Sequence, residues 1–141
     1  MTIRLNGGAK LFANRLSTFQ EVFVGGIISI YSGRQPDSAD DEPSGFLLCE
    51  AEIPGFSVRK DGTYIPLRKT ADIDLVGINT GTMEWFRIAG NKNTKGIFAS
   101  LDGSIGSRHK DCDIEMTNQC IIVGEQITIE DISIDLSYLE D

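Results

Sequence analysis

The chain is poor in the residues that most catalytic and metal sites need. It has one histidine and three cysteines in 141 residues, and its 13 lysines and arginines face 21 aspartates and glutamates, leaving a formal charge of −8. With His109 as the lone imidazole and no Cys-x-x-Cys spacing, a zinc centre would need an unusual ligand set. His109 lies in the polar stretch 107–111, and there is no Gly-x-Ser-x-Gly elbow, so it reads as an exposed loop histidine outside any Ser-His-Asp or Cys-His arrangement. A phosphate-cradling Walker loop is absent, as is a Gly-x-Gly-x-x-Gly turn between strand and helix, so no nucleotide cofactor is implied. The acid surplus argues against a surface that tracks a nucleic-acid backbone, which would require basic residues to dominate at least one face.

Long apolar runs are missing too. Nothing approaches the roughly 20 residues that span a bilayer, and the first apolar stretch is broken at Asn6, Gly7 and Gly8, unlike a secretory leader. The odd set Cys49, Cys112 and Cys120 fits a reducing compartment, with the thiols as small buried or half-buried hydrophobes. These absences describe a soluble protein made in the cytoplasm, with no membrane partner.

What is present is 40% apolar residues, 15 glycines and only 4 prolines, a globular and turn-rich composition long enough for one domain over residues 1–141. Leu11, Phe12, Leu16, Phe19 and Phe23 recur at helical spacing between the pairs Gly7-Gly8 and Gly25-Gly26. That stripe predicts one short amphipathic helix; the alternative is an extended arm, so residues 1–26 are read as helix or arm. From Ile27 the period becomes strand-like. Ile27 to Tyr31 and Phe46 to Ile53 read as strands flanking a 34–45 loop with two prolines and four acids. Lys60-Asp61-Gly62 predicts a hairpin. Ile73, Leu75 and Gly77 alternate with Asp72, Asp74 and Val76 as in a half-buried strand. A meander through Met83 to Ala89 and Ile97 to Leu101 follows.

Asp113 to Met116 and Cys120 to Val123 are further strands, and 126–138 reads as one long strand. Its apolar residues change parity between Ile129 and Ile132, which predicts a β-bulge at Glu130-Asp131. The fold class expected is mainly β, an antiparallel β-sandwich, with the jelly roll as one form of it, plus the N-terminal helix.

Adjacent Trp85 and Phe86 must point to opposite faces of their strand, so one of them leaves the core for the N-terminal helix or for another subunit. Asp37, Asp40, Asp41 and Glu42 offer hard oxygen ligands, yet their order lacks the spacing of a defined calcium loop, and a solvated turn is the reading. Asp72 with Asp74, and Glu130 with Asp131 and Asp135, need no role in sugar hydrolysis when they line the wet side of a strand. No catalytic residue, cofactor or metal ligand is assigned. The candidate contact surface instead combines Phe12, Phe19 and Phe23 with the acids Asp37, Asp40, Asp41 and Glu42, and with Trp85.

The segments Ile27 to Cys49 and Gly81 to Ile129 carry, in order, Tyr31-Ser32-Gly33, Gln35-Pro36, Gly45-Phe46, Trp85-Phe86-Arg87-Ile88 and Gly124 with Gln126-Ile127. This pattern resembles small, uncharacterised virion structural proteins of tailed bacteriophages. The chain departs from it in the acid load after Pro36 and in Glu84 before Trp85. The resemblance implies a non-enzymatic particle component, homo-oligomeric, whose partners are other virion proteins. A decoration or cement protein on the major capsid protein is the first reading. Neck or tail connector ring and host-surface or carbohydrate-binding module are the alternatives.

Overall fold

The computed structural model describes residues 4–10, 23, 25–53, 56–58, 66–69, 73–90, 99–106, 114–116, 118–129 and 133–135. They form a mainly β protein built largely from antiparallel pairs. The central sheet runs in the order β1 (Arg4–Leu5), β9 (Ser100–Gly106), β8 (Trp85–Ala89), β2 (Ile27–Tyr31), β3 (Leu47–Glu52), and β10 (Ile114–Glu115) joins β9 in parallel. Three smaller pairings accompany it: β11 (Cys120–Ile121) with β7 (Gly81–Thr82), β12 (Gln126–Ile129) with β6 (Ile73–Val76), and β13 (Ser133–Asp135) with β5 (Pro66–Lys69), which also pairs β4 (Phe56–Val58).

Register explains why these strands carry these residues. Ile30 lies opposite Phe86, Ile28 opposite Ile88, and Ile88 opposite Leu101, so the β-branched and aromatic residues of three strands stack in rows on one face. Phe86 meets Gly103 on its other side, where a strand neighbour without a side chain leaves room for the ring. These residues are buried together with Leu5, Phe23, Leu48, Ile53, Leu75, Met83, Ile114, Ile121 and Ile129. Burying each large apolar side chain stabilises the fold by roughly 1.5–3 kcal/mol relative to exposure.

At the N-terminus a single helical turn, Gly7–Lys10, follows β1. Asn6 caps it: its Oδ1 accepts hydrogen bonds from Ala9 N at 2.8 Å and from Ser100 N at 3.0 Å, tying the turn to β9. The helix expected over Leu11 to Val24 falls outside the described residues except at Phe23, as do the Lys60-Asp61-Gly62 turn, His109 and Cys112.

Two expectations are corrected. The segment 126–138 is not one strand in one sheet: β12 pairs β6 and β13 pairs β5. Glu130-Asp131 lies outside the described residues.

The cysteines also divide. Cys49 is buried and free, and burial, helped by the charge of Glu50, pushes its thiol up to about 12. Cys120 is exposed rather than buried, because on β11 the inward position belongs to its neighbour Ile121. A disulfide-exchange reagent applied to the native protein should therefore label Cys120 readily and Cys49 only after denaturation. Peptide mass mapping of the two states reads the difference, and Cys49 labelling at the native rate of Cys120 would contradict it.

Two glycines with positive φ separate backbone strain from crowding. At Gly124 (φ 84°) a Cβ would meet nothing within 4 Å, whereas at Gly45 (φ 80°) it would lie 1.8 Å from the Ser32 carbonyl oxygen. Gly124→Ala should cost roughly 1–2 kcal/mol in denaturant melts, from the left-handed conformation alone. Gly45→Ala should cost distinctly more, since backbone must also move.

Candidate functional site

The second face of the central sheet holds the most organised polar structure among the described residues. One row crosses five of its six strands: Glu50, Ser29, Arg87, Asp102 and Arg4 are successive cross-strand partners from β3 to β1. At its centre Arg87 and Asp102 form a two-pronged ion pair, with Nε donating to Oδ1 at 2.6 Å and Nη2 to Oδ2 at 2.9 Å. Asp102 is fully buried. The neighbouring row brings Tyr31 beside Trp85, with ring centroids 4.5 Å apart and planes 15° from parallel, and the Arg87 guanidinium lies 5.6 Å from the Trp85 centroid.

Residues 34–45 fold down over this face as a strap, in the manner of an Ω-loop whose ends meet. Its neck closes where Ser32 N donates to the Phe46 carbonyl at 3.0 Å and Phe46 N donates to Ser32 Oγ at 3.1 Å. Gly33 and Gly45 both take positive φ there, and Gly33 N–H donates to the Glu84 carboxylate. Four fasteners hold the middle. Arg87 Nη1 donates to the Asp41 carbonyl at 2.8 Å, Ser100 Oγ to the Ala39 carbonyl at 3.3 Å, Gly7 N to Asp40 Oδ1 at 3.4 Å, and the Arg4 guanidinium to the Pro36 carbonyl. Ala39 is buried as a result. A cleft of about 240 Å³ remains between strap and sheet, lined by Asn6, Ala39, Asp40, Asp41, Glu42, Pro43, Arg87 and Ser100.

The nominated acids are thus brought to one loop without being brought to one point. Asp37 pairs with Arg34 at 3.5 Å, Asp40 meets Gly7, Asp41 Oδ2 accepts from Ser38 N at 3.2 Å, and Glu42 is exposed. Among the described residues no group of three or more His, Cys, Asp or Glu is placed to hold a metal ion.

The aromatic half of the nominated surface is corrected. Phe23 is fully buried in this chain's own core, and Phe12 and Phe19 lie outside the described residues. Trp85 and Phe86 are both fully buried, on opposite faces. Neither had to leave the interior, because the second face is itself closed, by the Tyr31 stack and the arginine beside the ring. Trp85 therefore presents no surface for stacking on a sugar. Its Nε1 is buried with no hydrogen-bond partner among the described residues, a loss of roughly 1–3 kcal/mol that ring burial must offset.

The Arg87–Asp102 pair was not anticipated from the sequence, since the two are 15 residues apart. Also unforeseen was the exposure of Phe46, Ile78, Ile122 and Val123 together with Val76, although the alternation at Asp72 to Gly77 already put Val76 on the wet side. The chain matches no protein-family model, no curated protein and no solved structure.

Burial pushes the Asp102 carboxyl above the ordinary aspartate range; the hydrogen bonds and charge of Arg87 pull it back without cancelling burial. The folded protein then holds this proton more tightly than the unfolded chain. The group's contribution to stability is full below the ordinary aspartate range and is lost as pH rises through the raised folded value. Without Arg87, only the weaker pull of the Arg4 charge opposes burial, and the window widens. Arg87→Met should cost roughly 3–5 kcal/mol near neutral pH, where Asp102 is left a buried charge without a partner. The deficit relative to wild type should shrink in acid, as Asp102 takes a proton. Denaturant melts of both proteins at neutral and acidic pH check this, and a deficit that grows in acid would contradict it.

Proposed function

We propose that this chain is a non-enzymatic structural protein of a tailed-bacteriophage particle, a decoration or cement protein bound to the major capsid protein. On this reading it is assembled in the host cytoplasm, contacts copies of itself as well as the shell, and has the architecture of an antiparallel β-sandwich of jelly-roll type.

The observation that carries the reading is where seven of the motif residues meet. Tyr31, Ser32, Gly33, Gly45, Phe46, Trp85 and Arg87 converge on the strap, where they close its neck, stack beneath it or grip its backbone. Their common task is mechanical: they hold a stiff acidic loop against a sheet, and none of them converges on a reacting centre. A pinned loop loses little further freedom on docking, which favours persistent attachment to a lattice. The acid excess of the whole chain keeps a protein made in quantity soluble before it docks.

Copy number in purified particles tests the proposal. Quantitative gel densitometry or mass spectrometry against the major capsid protein should find on the order of hundreds of copies, as a surface lattice requires. On the order of a dozen would instead indicate a closed connector ring. Absence from the particle would overturn the virion reading.

A further inference from the structure

A second exposed feature, apolar and built from other elements, involves β6 and the chain around 121–125. In β6, Ile73 and Leu75 are buried while Asp74 and Val76 face solvent, and the alternation continues through buried Gly77 to Ile78. Val76 is 52% exposed and Ile78 50%. Gly77 is gripped from both sides: its N–H donates to the Glu125 carbonyl at 2.9 Å, and its carbonyl accepts from Gly124 N at 2.8 Å. A Cβ at Gly77 would lie 2.4 Å from the Ile122 carbonyl oxygen and 3.1 Å from Ile121 Cγ1. The buried side of Gly77 therefore faces Ile121, and Ile122, one residue on, turns outward with Val76 and Ile78.

Ile122 to Glu125 is a tight turn. Glu125 N donates to the Ile122 carbonyl at 2.9 Å and Gly124 takes φ 84°, as the third position of a type II turn requires. Its first two residues, Ile122 and Val123, are 60% and 59% exposed, where turns ordinarily carry polar or small residues. Val123 N donates to Thr80 Oγ1 at 3.1 Å and Ile78 N to the Leu48 carbonyl at 2.8 Å, so both segments are fastened. Four β-branched side chains are held out to water on a rigid frame, which distinguishes them from scattered surface apolars.

Among the described residues, the charges bordering this patch are acidic. Asp74 stands in the same row as Val76 and Ile78, Glu125 stands in the turn, and both are exposed. Residues 70–86 and 111–141, the stretches that supply the patch, contain no lysine or arginine. We infer that the patch of Val76, Ile78, Ile122 and Val123 docks on a protein surface that presents an apolar recess bordered by lysine and arginine. Resting on the reading proposed above, that surface belongs to the capsid shell. Charge selects against a second copy of this chain as the occupant, since face-to-face copies of a −8 protein would set Asp74 and Glu125 against further acids.

The test uses particles assembled without this protein, mixed with purified full-length wild type or with two double variants, Ile122→Ser with Val123→Ser and Val76→Thr with Ile78→Thr. The second pair keeps β-branching at both positions and carries the test if the first pair melts lower. Wild type should bind saturably and more weakly as salt is raised, and the variants should bind about tenfold or more weakly with unchanged melting and unchanged sedimentation. Variants that bind like wild type would overturn the patch and leave the virion reading intact. Wild type that binds no particle would overturn both. Salt-insensitive binding would overturn the basic border, and self-association of wild type that the variants lose would replace the shell by a second copy.

Discussion

The buried pair Arg87–Asp102 is the interaction on which the second face of the sheet depends. A carboxylate with no solvent access is tolerable only when its lone pairs are taken by charged donors in good geometry, and the guanidinium supplies two. A third donor of that guanidinium, on Nη1, reaches the Asp41 carbonyl, and the group lies beside the Trp85 ring. One side chain thus neutralises a strand, pins a loop and covers an indole. Lysine at this position could place the charge but not the fork, so it could not do all three.

Closing the second face solves a problem set by Trp85 and Phe86. Adjacent large aromatics on a strand demand two apolar environments, one on each side of the sheet. Phe86 takes the larger, among Ile28, Ile30 and Ile88. Trp85 takes a smaller one assembled from Tyr31, Arg87 and the strand beneath. The strap turns its backbone toward the sheet and leaves Asp37 and Glu42 in water, so charge is displayed from a fixed frame. Burial accordingly raises the Tyr31 phenol above its ordinary range.

The same chain treats its two exposed regions by opposite rules. The strap shows acids and hides its backbone, as a solvated surface should. The turn at Ile122 to Glu125 shows isoleucine and valine and spends backbone hydrogen bonds on holding them out. An exposed apolar cluster so fixed has no folding rationale among the described residues, because the same turn geometry would form with polar residues at both positions.

Much of the strand pattern was legible because period-two alternation is a local property. Ile27 to Tyr31, Phe46 to Ile53, Ile73 to Val76 and Trp85 to Ala89 each announce a strand from their own residues, and the small residues between them announce turns. The acid excess and the scarcity of histidine are likewise facts of composition that no fold can alter. Pairing is not local. That β2 lies between β3 and β8, that 126–135 divides between two partners, and that Asp102 meets Arg87 across a ladder all follow from register, which the hydrophobic pattern constrains only to within strand exchange. The burial of Phe23 and Trp85 was decided the same way: an aromatic residue announces that it will be covered, but what covers it is chosen by elements distant in the chain. The sequence by itself therefore determined the strands, the charge and the candidate acids. Only the tertiary structure decided that the acids ride on a fastened strap and that the exposed apolar surface lies at Val76, Ile78, Ile122 and Val123, because both depend on long-range hydrogen bonds between segments that do not neighbour each other along the chain.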